Sequence, residues 1–141
     1  MEADIPAGFE PFGGHIGFAQ LIGPMYKRNN AHGATIGFRV AEQHCNAFPM
    51  AHGGMTAAFA DIVSSYVVWM AQSPRAQVLT ISLTTDFINT APLGSWVEGT
   101  PRLVSAGKSI AFASCEIFAD GQLVMVASAK FKIRPLITPL R

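Results

Sequence analysis

The spacing of apolar residues divides the chain into three regions. Residues 16–28 and 33–42 are mixed and partly β-branched, and a turn signal separates them at Asn29-Asn30 to His32-Gly33, so this region predicts a first hairpin. Beyond Gly54 there is no proline or glycine as far as Gln72, and apolar residues fall on nearly every helical face. This stretch predicts one long helix wrapped by protein, which ends at Ser73-Pro74 because proline disfavours helical geometry in the residue before it.

In the third region the apolar period becomes two, which is typical of strands. Segments 78–88, 109–119 and 122–133 alternate, and the tight connections at Ala106-Gly107-Lys108 and Asp120-Gly121 favour hairpins. In the first segment, one side is predicted to hold Leu79, Ile81, Leu83 and Phe87, and the other Thr80, Ser82, Thr84 and Asp86. Two strands, one helix and four strands that end in an antiparallel meander predict an α+β fold, with the sheet curled round the helix.

Composition narrows the class of protein. The 141 residues fit one domain over 1–141; half are hydrophobic and only 13% are charged, which favours self-association that hides apolar surface. A net charge of +1 without a basic stripe is not that of a nucleic-acid binder. The N-terminus has no export signal, and Cys45 and Cys115 show no CxxC spacing, so we expect reduced thiols and a cytoplasmic location. No membrane span is expected either, because Asp61 near the centre of the apolar stretch from Gly53 to Ala71 would cost about 2.5–3.5 kcal/mol on insertion scales.

The candidate chemistry is concentrated in residues 44–61, which read HCNAFPMAHGGMTAAFAD. A helix start has unpaired N–H groups and about half a positive charge, so the Gly54 N–H is a candidate oxyanion donor. Asn46 can polarise a carbonyl through its amide, or it can be an ordinary turn residue bonded to its own backbone. Asp61 is the only charged residue between His52 and Arg75. It is either catalytic or a buried carboxylate satisfied by Ser64, Ser65 or a backbone group.

This stretch resembles the signature of hotdog-fold thioesterases related to phenylacetyl-coenzyme A thioesterase. In that family an Asn precedes a His-Gly-Gly that opens a helix, and an Asp lies nine residues after the His, as Asn46, His52 and Asp61 do here. The resemblance covers roughly residues 35–133. It implies a hotdog fold and hydrolysis of an acyl-coenzyme A thioester, with Asp61 as base or nucleophile and with Asn46 and the Gly54 amide polarising the carbonyl. Coenzyme A enters only as part of the substrate, and no cofactor is expected.

The resemblance also implies the remaining site residues. Thr80 lies where the family places a hydroxyl near the carboxylate, and His52, Gly53 and Ser65 are candidate substrate-binding residues. Gly107, Lys108 and Ser109 form a turn in the region that the family uses near the pantetheine and nucleotide of coenzyme A. No metal site is expected, because the four histidines have no carboxylate or cysteine at ligand spacing.

The assembly that the family implies is a homodimer, or a homotetramer of two dimers, with shared active sites. Asn46 and the Gly54 amide would then come from a different subunit than Asp61. The low charge content of the chain favours such an assembly independently. No nucleic acid or membrane partner is expected.

Some features leave alternatives open. Pro49 stands where the family usually has Gly, and Ala51 where a larger aliphatic residue is common, which bears on the shape of the loop and of the acyl pocket. A catalytic Cys45 has no family counterpart. Two other functions stay open: a hotdog-fold dehydratase or hydratase, and a non-catalytic acyl-coenzyme A binding protein. The sequence does not distinguish an aromatic from a medium-chain acyl group.

Overall fold

The computed structural model describes residues 4–31 and 33–136. In chain order the elements are β1 (Glu10–Pro11), α1 (Phe18–Leu21), β2 (Tyr26–Asn30), β3 (Gly33–Arg39), a 3₁₀ helix (Glu42–His44), α2 (Gly53–Met70), β4 (Gln77–Phe87), β5 (Trp96–Ala106), β6 (Ile110–Ala119) and β7 (Gln122–Arg134). The strands form one antiparallel sheet in the order β1-β2-β3-β5-β6-β7-β4. Helix α2 packs across five of these strands, from β3 to β7. The predicted α+β arrangement of a sheet around one long helix is therefore present.

Helix α2 agrees with the predicted helix to within two residues at either end. All of its residues are buried or half-buried except Gly54, Trp69 and Met70, as expected for a helix wrapped by protein. At its C-terminus the Arg75 guanidinium donates to the carbonyls of Trp69, Met70 and Gln72 at 2.7–3.1 Å. These bonds satisfy carbonyls that have no partner within the helix. Across residues 4–31 and 33–136, no helix has both the length and the apolar character needed to cross a membrane.

The core lies between α2 and the concave face of the sheet. Phe59 and Val63 of the helix and Phe38 and Ile117 of the sheet are fully buried, and each such side chain contributes about 1.5–3 kcal/mol on leaving water. Gly99 in β5 allows the close approach, because a Cβ there would lie 2.5 Å from the Ile117 side chain and 3.4 Å from that of Val63. A side chain at this position would collide with Ile117 on the neighbouring strand β6, beneath the helix.

The N-terminal region differs from the prediction. Residues 16–28 were predicted as one strand, but Phe18–Leu21 is a short helix and β2 begins only at Tyr26. Gly17, with φ 62°, and Pro24, which has no N–H to donate, prevent a continuous strand here. The predicted hairpin is present in shorter form, because β2 and β3 pair from Tyr26 to Asn30. The predicted turn included His32, which lies outside the described residues.

Strand β4 departs from strict alternation at Ile81. The register against β7 shifts between Thr80 and Ser82, so Ile81 is the extra residue of a β-bulge. Thr80 lies opposite the fully buried Phe131, and residues directly opposite each other point to the same face. Thr80 therefore faces α2. Beyond the bulge Leu83 also packs against the core, so the prediction that put Thr80 and Leu83 on opposite sides of the strand is wrong.

Candidate active site

The Asp61 carboxylate is positioned by a hydrogen bond between helix and sheet. Asp61 lies in the middle of α2 and is half-buried, and its Oδ1 accepts a hydrogen bond of 2.6 Å from the Thr80 hydroxyl. Ser64 and Ser65, the alternative partners, bond elsewhere, to a sulfur and to a backbone carbonyl. Among the described residues none donates to Oδ2. We call Asp61 and Thr80 the carboxylate pair, and its free oxygen is available to a substrate or a water.

The start of α2 is capped by a histidine. His52 is the N-cap residue, and its Nδ1 accepts the N–H of Gly54 at 2.8 Å. This is the role that Ser, Thr, Asp or Asn usually takes at a helix start. The Gly54 N–H, which the sequence suggested as oxyanion donor, thus has an acceptor within its own chain. The N–H of the preceding Gly53 has no acceptor among the described residues, so the geometry favours Gly53 as the free donor.

Asn46 combines the two roles that the sequence left open. It is exposed in the loop before α2, and its Oδ1 accepts the N–H of Phe48 at 2.7 Å, so it is a turn residue. This bond also fixes the orientation of the amide, because an N–H must meet the oxygen rather than the Nδ2 group. Within the described part of the chain nothing accepts from Nδ2. The turn therefore leaves the amide donors available to a carbonyl.

His44 holds this loop in place. It is almost fully buried; its Nδ1 accepts the Ala41 N–H at 2.9 Å, and its Nε2 lies 2.7 Å from the Ile22 carbonyl, to which it therefore donates. The His44 carbonyl accepts the N–H of His52. Burial lowers the pKa of His44, so the neutral ring is favoured. His44 was not among the predicted site residues, since nothing in the local sequence distinguishes a buried positioning histidine from an exposed one. We call residues 45–54 the amide loop.

The carboxylate pair and the free donors of the amide loop do not meet within one chain. Gly53 and Asp61 are eight residues apart on the same helix, which is about 12 Å of axial rise. An aspartate side chain cannot span that distance to a carbonyl bound at the helix start. One chain therefore carries two separated halves of a site.

The β5–β6 turn is exposed and lies away from both halves. The carbonyl of Ser109 accepts the N–H of Ile133, and Ile133 lies opposite Val78 in β4. This places Gly107, Lys108 and Ser109 at the end of the sheet where β4 begins, about 10 Å or two strand spacings from Val78. No described contact joins the turn to the carboxylate pair or the amide loop. Its predicted role in binding coenzyme A stays a prediction.

The cysteines lie apart from these groups. Both are free thiols; Cys115 is buried in the core, where burial raises its pKa, and Cys45 is half-buried with its sulfur 3.5 Å from the Ala41 carbonyl. Neither is placed beside a base that could activate it. Of residues 4–31 and 33–136, no three or more His, Cys, Asp or Glu side chains are arranged to hold a metal ion.

Comparison with known proteins identifies the family. Residues 48–126, more than half of the chain, match the family model described as the thioesterase superfamily. This chain belongs to the thioesterase superfamily. The Pseudomonas aeruginosa protein named "Putative esterase PA0474" is 31% identical over 131 residues, which cover 92% of this thioesterase and 98% of that protein. Human acyl-coenzyme A thioesterase 13 is 27% identical over 110 residues, which cover 76% and 78% of the two chains.

A solved structure supports the fold. The zebrafish thioesterase superfamily member 2 matches this thioesterase with a TM-score of 0.75 at 24% identity, over 83% of this chain and 86% of that one. The predicted hotdog fold is thereby confirmed. The family and its relatives make this chain a thioester hydrolase, which favours hydrolysis over the dehydratase and the non-catalytic binding protein.

Proposed function

We propose that this thioesterase hydrolyses acyl-coenzyme A to a free acid and coenzyme A, with no cofactor beyond the substrate's own coenzyme A. The observation that carries the proposal is the half-buried carboxylate of Asp61, oriented by Thr80 at 2.6 Å with its second oxygen free. The name of the human relative, acyl-coenzyme A thioesterase 13, supports this substrate class. We also propose a cytoplasmic location, in keeping with the two free thiols.

The chemistry uses the free oxygen of Asp61 in either of two ways. As a base, Oδ2 takes a proton from water while the water oxygen bonds to the thioester carbon; the C–S bond then breaks, its electron pair leaves on sulfur, and the proton passes to the thiolate. As a nucleophile, Oδ2 itself bonds to that carbon and expels the thiolate, and water hydrolyses the resulting anhydride. In both routes the Gly53 N–H and the Asn46 amide stabilise the oxyanion, a contribution of about 10²–10³ in rate per donor.

A second copy of the chain is proposed to complete each site. Strand β4 has eleven residues and lies at the end of the sheet, so one of its edges pairs with no described strand. Long open edges of this kind are normally covered. The large apolar side chains exposed on β4 and on the neighbouring loops are Phe48, Ile81, Phe87, Ile88 and Leu93, at 43–67% exposure. A homodimer, or a homotetramer of two dimers, would cover this surface and bring a donor half of one copy to the carboxylate pair of another.

The test is thiol release from a panel of acyl-coenzyme A esters, followed with a thiol-reactive dye. We expect Asp61→Ala and the isosteric Asp61→Asn to lower kcat/KM at least about 10²-fold, because both remove the base or nucleophile. Glu116→Gln is the matched control, since Glu116 is an exposed carboxylate on β6, away from the carboxylate pair and from the open edge of β4. Circular dichroism and thermal midpoints check that each variant is folded. Wild-type activity in Asp61→Asn would show that the carboxylate assignment is wrong.

A further inference from the structure

A groove along α2 begins where the carboxylate pair ends. It has a volume of about 400 Å³, and its walls include Phe12, Ile62, Ser65, Tyr66, Trp69 and Val78. Ser65 follows Asp61 by four residues, so it lies on nearly the same helix face about 6 Å further along the axis. Val78 precedes Thr80 by two residues on the same face of β4, about 7 Å away. The groove therefore lies next to the carboxylate pair, about one helical turn beyond Asp61, and extends toward the C-terminal end of the helix.

One wall of the groove comes from the N-terminal segment. Phe12 packs edge-to-face against Tyr66 of α2, with ring centroids 5.0 Å apart, and Tyr66 stacks on Trp69 at 6.2 Å. The backbone N–H of Phe12 donates to the Met25 carbonyl, which ties this wall to the residue before β2. Aromatic rings thus line the groove from the N-terminal segment to the last turn of the helix.

The lining suits an uncharged, apolar occupant. No Asp, Glu, Lys or Arg lines the groove itself; the Arg75 guanidinium lies 4.5 Å from the centre of the Trp69 ring and the Lys27 ammonium 5.9 Å from that of the Phe12 ring, both at its margins. His15 contributes a buried Nε2 that has no hydrogen-bond partner among the described residues, and burial lowers the pKa of this histidine, which favours the neutral ring. In a protein core, a buried polar atom rarely lacks a hydrogen-bond partner. This wall is therefore better described as part of a binding surface than as core.

We propose that this groove binds the acyl chain of the thioester, with Phe12 and Trp69 as specificity-determining residues. The inference rests on the proposed acyl-coenzyme A hydrolysis. Trp69 lies eight residues beyond Asp61, about 12 Å along the helix axis. An extended chain advances about 3.4 Å per three bonds, so roughly ten bonds of acyl chain fit before Trp69 ends the groove. The occupant is an acyl chain of up to about this length.

The experiment measures kcat/KM for saturated acyl-coenzyme A esters from acetyl to hexadecanoyl. In the wild type we expect kcat/KM to rise by up to about fourfold per buried methylene, to a maximum near ten carbons. Phe12→Ala should lower the ratio of decanoyl to acetyl activity at least about tenfold, because acetyl does not reach the aromatic wall. Trp69→Ala should move the maximum to longer chains.

Phe18→Ala is the matched control, since Phe18 is an exposed ring of the same N-terminal segment that does not line the groove. It should keep the wild-type length profile. If Phe12→Ala does not fold, Ser65→Leu serves in its place, because it fills the groove from the helix side and should lower the same decanoyl-to-acetyl ratio. Hydrolysis with an unaltered length profile in the Phe12 or Ser65 variant and in Trp69→Ala overturns this proposal and leaves the proposed function intact. Thiol release from no ester at all overturns the proposed function, and the acyl groove with it.

Discussion

The carboxylate pair and the amide loop differ in how much of their final geometry one chain provides. Asp61 is already oriented by Thr80, across a helix and a strand of the same chain. The amide loop instead presents the Asn46 amide and the Gly53 N–H outward, with no acceptor among the described residues and with exposed apolar side chains nearby. A base works best when its own position is fixed, whereas an oxyanion donor must be held rigidly yet stay unpaired until the substrate arrives. Each half is thus suited to its own task, and only assembly brings the halves together.

The largest expected effect on activity comes from replacing Asn46, the side-chain donor of the amide loop. We expect Asn46→Ala to lower kcat/KM about 10²-fold or more, because an oxyanion donor is lost. Asn46→Asp is the sharper variant, since its side-chain oxygen can still accept the Phe48 N–H while the donor group is gone. Steady-state kinetics should show a similar loss for both variants. If Asn46→Asp kept the wild-type rate, Asn46 would be a turn residue only.

Mixed assemblies of these variants test whether the two halves come from different chains. Asp61→Ala and Asn46→Ala subunits that are unfolded and refolded together should regain about a quarter of wild-type activity, because half of the dimers are mixed and each mixed dimer has one intact site. A mixture of Asp61→Ala with Asp61→Asn is the control and should gain nothing, since no intact carboxylate is present. If the mixture of Asp61→Ala and Asn46→Ala is no more active than its separate components, each chain builds its own site.

A smaller effect is expected within the carboxylate pair. Thr80→Val keeps the β-branched shape and removes the hydroxyl, so Asp61 loses the bond that orients it. We expect kcat to fall about tenfold while KM changes little, because the base is misplaced and substrate contacts are retained. Thr80→Ser should preserve most of the activity, since it keeps a donor at the same position. Equal kcat values for the Val and Ser variants would contradict an orienting role for the hydroxyl.

The position of Thr80 also shows where local sequence patterns stop being informative. Helical and alternating periods were sufficient to predict α2 to within two residues and three of the four strands after it, because burial on one face or all faces imposes those periods. The bulge at Ile81 depends on how β4 pairs with β7, so alternation alone put Thr80 and Leu83 on opposite faces, although both face the core. The spacing of Asn46, His52 and Asp61 indicated the site through a family resemblance, since most of these residues are ordinary when taken singly.

Two further features of the site depend on contacts that no local pattern encodes. Histidine is not a usual N-cap residue, so the sequence alone gave no reason to expect that His52 would occupy the Gly54 N–H and leave that of Gly53 free. The acyl groove needs Phe12 beside Tyr66, a contact between residues far apart in the chain. Residues 16–28 were interpreted as a strand, and the segment before them was given no role. Long-range packing determines the groove, whereas the histidine cap is a local bond that lies outside the usual N-cap preferences.

The smallest expected effect is on the pH dependence of stability. It distinguishes the amide loop, which His44 holds, from the carboxylate pair. Burial lowers the pKa of His44 below its ordinary value of 6.5, whereas the unfolded chain keeps that value. As the pH falls through about 6.5 the unfolded state therefore takes up the proton first, so the stabilisation is complete above that pH and is lost below it. Protonation of Nδ1 would also remove the acceptor of the Ala41 N–H, and the loop that His44 holds should loosen first.

Thermal midpoints at pH values of about 7.5 and 5.5 measure this effect. His44→Asn is the informative variant, because its side-chain oxygen can accept the Ala41 N–H without titrating. We expect it to reduce the loss of stability on acidification, although it lowers stability at the higher pH by removing the bond to Ile22.

Burial lowers the pKa of His15 as well, so His15→Phe measures the share of the acid effect that comes from the N-terminal segment. Amide hydrogen exchange should show the N–H of His52 losing protection in acid before the middle of α2 does. An acid-induced loss in His44→Asn as large as in the wild type would mean that the amide loop is held by its backbone bonds alone.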